Sequence, residues 1–345
     1  MRELWLDGVV SRESCMFAGK REVKLLFPAQ EIIKVEEYCS GRVFQPGVDY
    51  LHTPGSDRIE LAEKSGIPFI EKERMRPEKD VRLRPAEDCN AIEGAVDGGY
   101  LIFGESGFFA ENQIAVTYRA ETAEFDGMID PQRDRLPRFR KKLSAGDPLQ
   151  ITLIGDSISV GANASKFMNK PPYEPFYLER TVEKLSEEYG SRITLTNRAV
   201  GGAGIRNAAG LRDDYLGDKA DLLVIAYGMN DYFRTPADEF MATLDLIINE
   251  SRKVNLHTEY LVVSGMSGNP LWKYTAPGND LIFAEKLREF AGFAPSDTAL
   301  ADVNKVWQEI AARKGFYDLT GNGVNHPNDF GHRIYASVLL EILAG

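Results

Sequence analysis

The sequence is poor in cysteine, in histidine and in net positive charge, and it has no long apolar run. Only three of its 345 residues are cysteine and four are histidine. Cys15, Cys39 and Cys89 form an odd, widely spaced set in the first third of the chain. That pattern excludes a disulfide framework and offers no zinc-ligand spacing, so small buried thiols are expected. A formal net charge of -11 argues against a nucleic-acid partner, which needs clustered Lys and Arg, and against adhesion to anionic lipid. Met1 to Asp7 has no apolar leader-type stretch and no later run is long enough to span a bilayer, so a cytoplasmic protein without a membrane association is expected.

What is present is ordinary globular composition, 43% apolar and 27% charged residues, in a chain long enough for two domains. Residues 1–140 lack helical periodicity and hold short β-type runs punctuated by turn residues. Strands are expected at 21–27, stopped by Pro28, and at 31–38, 99–104 and 113–118, as in a β-sandwich of jelly-roll type. No chemical constellation appears there: His52 reads as an exposed loop histidine, and the charges of 71–84 largely neutralise one another. Residues 126–148 carry three prolines, many charges and little apolar material, which marks a linker. The second domain is taken as 141–345.

From residue 149 the pattern alternates strand and helix, which implies a parallel sheet with helices on both faces. Strands are expected at 149–155, 192–197, 221–227, 259–264 and 298–303. Helices are expected at 176–189, 237–253, 280–291, 305–314 and 329–343. The first strand ends in Gly155-Asp156-Ser157. Taken alone, this is either a capped strand-to-helix turn or a hydroxyl at the sheet edge where open α/β sheets bind ligands. Two further strands open into Gly201-Gly202-Ala203-Gly204 and Gly228-Met229-Asn230-Asp231, and Asn325-His326-Pro327 stands near the C-terminus. Serine, backbone-exposing glycine, an amide side chain and imidazole are the parts acyl transfer needs. The serine must lose a proton to a nearby neutral base, and the oxyanion must find donors already in place.

Gly155-Asp156-Ser157-Ile158, Gly202, Gly228-Met229-Asn230-Asp231 and His326-Pro327 resemble the four ordered blocks of the SGNH/GDSL hydrolase superfamily, over about 148–345. The resemblance implies a three-layer αβα, flavodoxin-like domain. It implies Ser157 as nucleophile, His326 as base, and an oxyanion hole from the Ser157 and Gly202 N–H groups and the Asn230 side chain. No cofactor or metal is implied. The family's usual aspartate three residues before the histidine is replaced by Gly323. Either a backbone carbonyl holds the imidazole of a Ser-His dyad, or Asp318 or Asp329 substitutes; the carbonyl-held dyad is favoured, with Asp329 as a helix cap.

The remaining candidates each carry a plain structural reading. The Gly201–Gly204 run does not fit a dinucleotide fingerprint or a P-loop. Asn197 could anchor a turn, Asp156 could fix one, His332 reads as structural and His257 as solvent-facing. Trp272 and Tyr274, in the loop after the fourth strand, either stack on a sugar or pack the loop. Together with a resemblance to two-domain carbohydrate esterases, these features point to an esterase removing a small acyl group, acetyl above all, from an oligosaccharide. A lipase or thioesterase, or a non-catalytic glycan binder on the same scaffold, are the alternatives.

Overall fold

The structure, a computed structural model, describes residues 1, 3–77, 89–275 and 277–344. Cys89 lies in a strand but its side chain, like residues 78–84 of the charged stretch, falls outside the described set. The N-terminal region contributes β1 (Trp5–Leu6), β2 (Val9–Cys15), β3 (Phe17–Ala18), β4 (Glu22–Ala29), β5 (Glu31–Glu37), β6 (Tyr50–Leu51), β7 (Ser56–Leu61), β8 (Phe69–Ile70), β9 (Cys89–Glu93), β10 (Tyr100–Gly104) and β11 (Ile114–Arg119). Two antiparallel sheets dominate, one ordered β1-β2-β11-β5 and the other β4-β7-β6. They meet across the rings of Trp5, Phe27 and Phe125, whose centroids lie 5.0 to 5.4 Å apart edge to face. Strand β4 runs through Pro28, where a stop was expected. It is an edge strand with a register shift between Lys24 and Ala29, so the missing N–H breaks no ladder bond there.

The second half holds β12 (Leu149–Gly155), β13 (Ile193–Asn197), β14 (Leu222–Ala226), β15 (Glu259–Val263) and β16 (Thr298–Ala301). They form a parallel sheet ordered β13-β12-β14-β15-β16. All five residues of β14 are buried, the pattern of a strand covered on both faces. Flanking helices supply the cover: Tyr177–Tyr189 packs on Asp329–Ala344, and Ala237–Val254 on Asn279–Phe293. In Ala237–Val254 the buried Phe240, Leu244, Ile247, Ile248 and Ser251 recur at helical spacing and make one apolar stripe. The order is the flavodoxin-like one, so the chain reverses its direction of travel across the sheet between β12 and β14. Ser157 follows β12 and therefore sits at that switch point.

Two further segments differ from expectation. The stretch read as a linker contains a helix, Pro137–Ser144, that buries Phe139 and Leu143. Proline suits its first position, and the buried Glu259 carboxylate accepts from the N–H groups of Arg138 and Phe139 at 3.2 and 2.7 Å, closing its N-terminus. The final helix is capped by Asn328, whose Oδ1 accepts from the Gly331 N–H at 3.0 Å. Asp329 instead accepts from the Ser165 N–H at 2.7 Å and the Tyr38 hydroxyl at 3.0 Å.

That last contact belongs to a polar seam between the two halves. Gln113 Nε2 donates to the Tyr317 and Thr320 carbonyls at 2.8 and 3.0 Å, and Arg333 donates to the Ser11 and Arg12 carbonyls at 2.8 and 2.6 Å. The wholly buried Lys314 ammonium is paired with Glu13 of β2 and also donates to the Lys24 carbonyl at 3.0 Å. A buried charge that loses its partner is costly. Lys314→Ala is therefore expected to lower stability by about 3–5 kcal/mol in denaturant unfolding; a cost under about 1 kcal/mol would contradict a dry, paired site.

Candidate active site

Asp156 begins the site. Its carboxylate accepts from the Ile158 N–H at 3.0 Å, which turns the chain sharply at the end of β12 and leaves Ser157 half-buried at the sheet edge. Burial pushes the Asp156 carboxyl up to about 7, against the hydrogen bond from Ile158 and the nearby His326. The residue fixes the turn, as its sequence context suggested.

His326 reaches the same spot from the loop before the last helix. Its Nε2 lies 2.8 Å from Ser157 Oγ and its Nδ1 lies 2.7 Å from Asn163 Oδ1. The Asn163 amide is oriented by its own donors, since Nδ2 points at the Gly321 carbonyl at 3.1 Å and the Glu105 carbonyl at 3.4 Å. Oδ1 is thus the atom facing the ring, so Nδ1 carries the proton and Nε2 accepts from the serine hydroxyl. A second acceptor stands beside Nδ1: Glu105 Oε2, at 3.3 Å. Neither a backbone carbonyl nor a nearby aspartate fills this place. Asp318 is spent on the Met16 N–H at 2.7 Å and the Gly315 N–H at 3.0 Å.

Position 323 shows why no acid stands there. Gly323 has φ +87°, and a Cβ on it would come within 2.4 Å of Phe109 Cζ and 2.6 Å of the Ile102 carbonyl oxygen. Both atoms belong to the N-terminal β region, which fills the space an aspartate side chain would need.

The other two blocks arrive through the sheet register. Ile154 pairs with Ile225 and Gly155 with Ala226, so β12 and β14 end side by side. The Val200 N–H donates to the Gly155 carbonyl at 3.0 Å, bringing the loop after β13 along the same edge. Asn230 is buried and donates one amide proton to the Ala203 carbonyl at 3.0 Å, leaving the second available. Its neighbour Asp231 closes the loop by accepting from the Ile205 N–H at 3.0 to 3.1 Å. Gly202, at φ +75°, is exposed in that loop.

Trp272 and Tyr274 form a ring cluster with Phe233. Centroids are 5.8 Å from Phe233 to Trp272, 4.5 Å from Phe233 to Tyr274 and 5.0 Å from Trp272 to Tyr274. Their loop is tied to that of His326 by Asn269, which donates from Nδ2 to the Gly323 carbonyl at 2.8 Å and from its N–H to the Val324 carbonyl at 2.7 Å. His332 is wholly buried, stacked 6.2 Å from Tyr177, and burial pushes its imidazole down to about 3. His257 is exposed, and Asn197 anchors the turn after β13, donating to the Ser159 carbonyl at 2.8 Å and accepting from the Ala199 N–H at 2.9 Å. Clefts of about 430 and 450 Å³ open elsewhere and include neither Ser157 nor His326. Among the described residues no three His, Cys, Asp or Glu side chains gather as a metal ion would need.

A family model described as the GDSL-like lipase/acylhydrolase family matches residues 153–334, just over half of the chain. The chain belongs to the GDSL-like lipase/acylhydrolase family. The matched span of this family member runs from β12 into the closing helix and holds Ser157, Gly202, Asn230 and His326. No curated protein sequence matches it. Solved structures similar to this GDSL-like chain include a catalytic mutant of an acetylxylan esterase from Geobacillus stearothermophilus, at 20% identity and a TM-score of 0.47, covering 56% of this chain and 94% of that one. A two-domain esterase active on acetylated mannans is 21% identical with a TM-score of 0.49, covering 63% of this chain and 55% of that one. A lipase from a goat rumen metagenome is 16% identical with a TM-score of 0.44, covering 55% and 95%.

The packing at position 323 gives a direct test. Gly323→Ala is expected to lower stability by about 2–4 kcal/mol, through overpacking against Phe109 and strain at positive φ. Thermal unfolding reads the loss; an unchanged midpoint would contradict the tight seat of Phe109 on the His326 loop.

Proposed function

We propose that this family member is a serine ester hydrolase that removes small acyl groups, acetyl above all, from carbohydrates. The observation that carries the reading is the 2.8 Å contact between Ser157 Oγ and a His326 Nε2 whose other nitrogen faces only acceptors. In the mechanism it supports, Ser157 Oγ attacks the ester carbonyl as His326 Nε2 takes its proton. The oxyanion is met by the N–H groups of Ser157 and Gly202 and by the free proton of Asn230 Nδ2. Collapse expels the sugar alcohol, which receives its proton from His326. Water, deprotonated by the same imidazole, then releases the acyl group as the carboxylic acid and restores Ser157.

The carbohydrate part rests on the Phe233, Trp272 and Tyr274 cluster, whose loop is hydrogen-bonded to that of His326. Half-exposed rings on the reactive edge suit the apolar face of a sugar, and a two-carbon acyl group asks for no deep apolar pocket.

Hydrolysis of p-nitrophenyl acetate is expected from the unaltered protein and not from Ser157→Ala. Asn230→Ala should lose about 3 kcal/mol of transition-state stabilisation, roughly a hundredfold in kcat. Acetate release from acetylated xylo- or mannooligosaccharides should exceed hydrolysis of long-chain acyl esters. The opposite preference would favour a lipase or thioesterase, and no turnover with any ester would favour a glycan binder.

A further inference from the structure

We propose that Glu105, carried by the N-terminal β region, is the positioning acid that stabilises the protonated form of His326. This rests on the hydrolase reading above and deepens it.

The chain places two groups on His326 Nδ1, and they do different work. Asn163 Oδ1, at 2.7 Å, is neutral: it selects the tautomer and holds the ring plane, but adds only a dipole when the imidazole gains a proton. Glu105 Oε2, at 3.3 Å, adds a full negative charge at that moment. Its other oxygen is held by Asn322 Nδ2 at 3.3 Å, so the carboxylate is aimed from the loop of His326 itself. Burial pushes the Glu105 carboxyl up, but the hydrogen bond and charge of His326 and the bond from Asn322 outweigh it and hold the group below the usual range. The proton stays on the imidazole throughout; Glu105 neither accepts nor passes it.

The same segment that delivers this acid also excludes the alternative. Glu105 follows β10, and the Gly104 N–H donates to the Asn322 carbonyl at 3.1 Å, pinning the strand end to the His326 loop. Ile102 in that strand and Phe109 just beyond it are the residues that a side chain at 323 would strike. An aspartate at 323 and the N-terminal β region cannot both be there. The region that takes the space brings a carboxylate of its own, 221 positions from His326 in sequence.

Other titratable groups near His326 are Asp156, on the turn after β12, and His332, on the closing helix. His332 is kept neutral by burial, and Asp156 is unaltered in any Glu105 variant, so its influence cancels in a comparison. Glu105 is half-exposed, and Glu105→Gln keeps its shape while removing the charge.

The test follows His326 by histidine-selective NMR titration, in parallel with the pH profile of kcat/KM for p-nitrophenyl acetate. In Glu105→Gln the titration midpoint and the acid limb should both move to lower pH by roughly half to one unit, the protonated ring having lost a half-exposed anionic neighbour. At the plateau kcat should fall roughly three- to tenfold, in line with that shift, with KM little changed, and Glu105→Asp should restore part of it. A lower kcat with no movement of either midpoint, or kinetics equal to those of the unaltered protein, would overturn the proposal. If the midpoint moves in a protein that turns over no ester, the ion pair stands and the hydrolase reading falls. If esters are hydrolysed and nothing moves, Glu105 is the part that fails.

Discussion

The histidine loop is held rigid before any substrate arrives, and the rest of the site depends on that. Asn322 Oδ1 accepts from three successive backbone N–H groups, those of Val324, Asn325 and His326, at 2.9 to 3.0 Å. Thr320 Oγ1 accepts from the Gly323 N–H at 2.9 Å and donates to the His326 carbonyl at 3.0 Å, which also receives the Gly321 N–H at 2.9 Å. Both side chains are wholly buried, where an unmade hydrogen bond costs about 1–3 kcal/mol, so the loop has one low-energy shape. An imidazole presented from such a loop needs little reorganisation to meet Ser157.

The N-terminal β region is built into this arrangement rather than appended to it. Its strands β2 and β11 dock on residues 314–333 through Lys314, Gln113, Asn328 and Arg333, and the end of β10 is hydrogen-bonded to the histidine loop. The hairpin of β9 and β10 also reaches the aromatic loop: Val96 N–H donates to the Leu271 carbonyl at 2.9 Å and Lys273 N–H to the Gly94 carbonyl at 2.8 Å. The geometry around His326 is therefore a property of both halves of the chain. A buried polar seam of this kind penalises any displacement by the bonds it would leave unmade.

Much of this was legible in the sequence, for identifiable reasons. The parallel strands are short apolar runs bounded by polar residues, and Ser157, Asn230 and His326 sit where such runs or their loops end; periodicity carries that information locally. The 137–144 helix was hidden because its apolar residues are only Phe139 and Leu143, among prolines and charges, and its N-terminus is closed by Glu259 from a distant strand. The choice of Asn328 over Asp329 as cap turns on one residue, and tertiary partners Ser165 and Tyr38 decide it. Asn163 and Glu105 carry no local signal at all. They meet His326 only through the fold, and the one available hint was Gly323, a glycine where an acid was expected.

The claim on which everything else stands is that Ser157 is a nucleophile activated by His326. Reaction with a fluorophosphonate followed by peptide mass spectrometry tests it without assuming a substrate. The account predicts a single adduct on Ser157 that forms rapidly in the unaltered protein and at least about a hundredfold more slowly in His326→Ala. An adduct on another residue, or labelling of Ser157 at an equal rate without the imidazole, would contradict it.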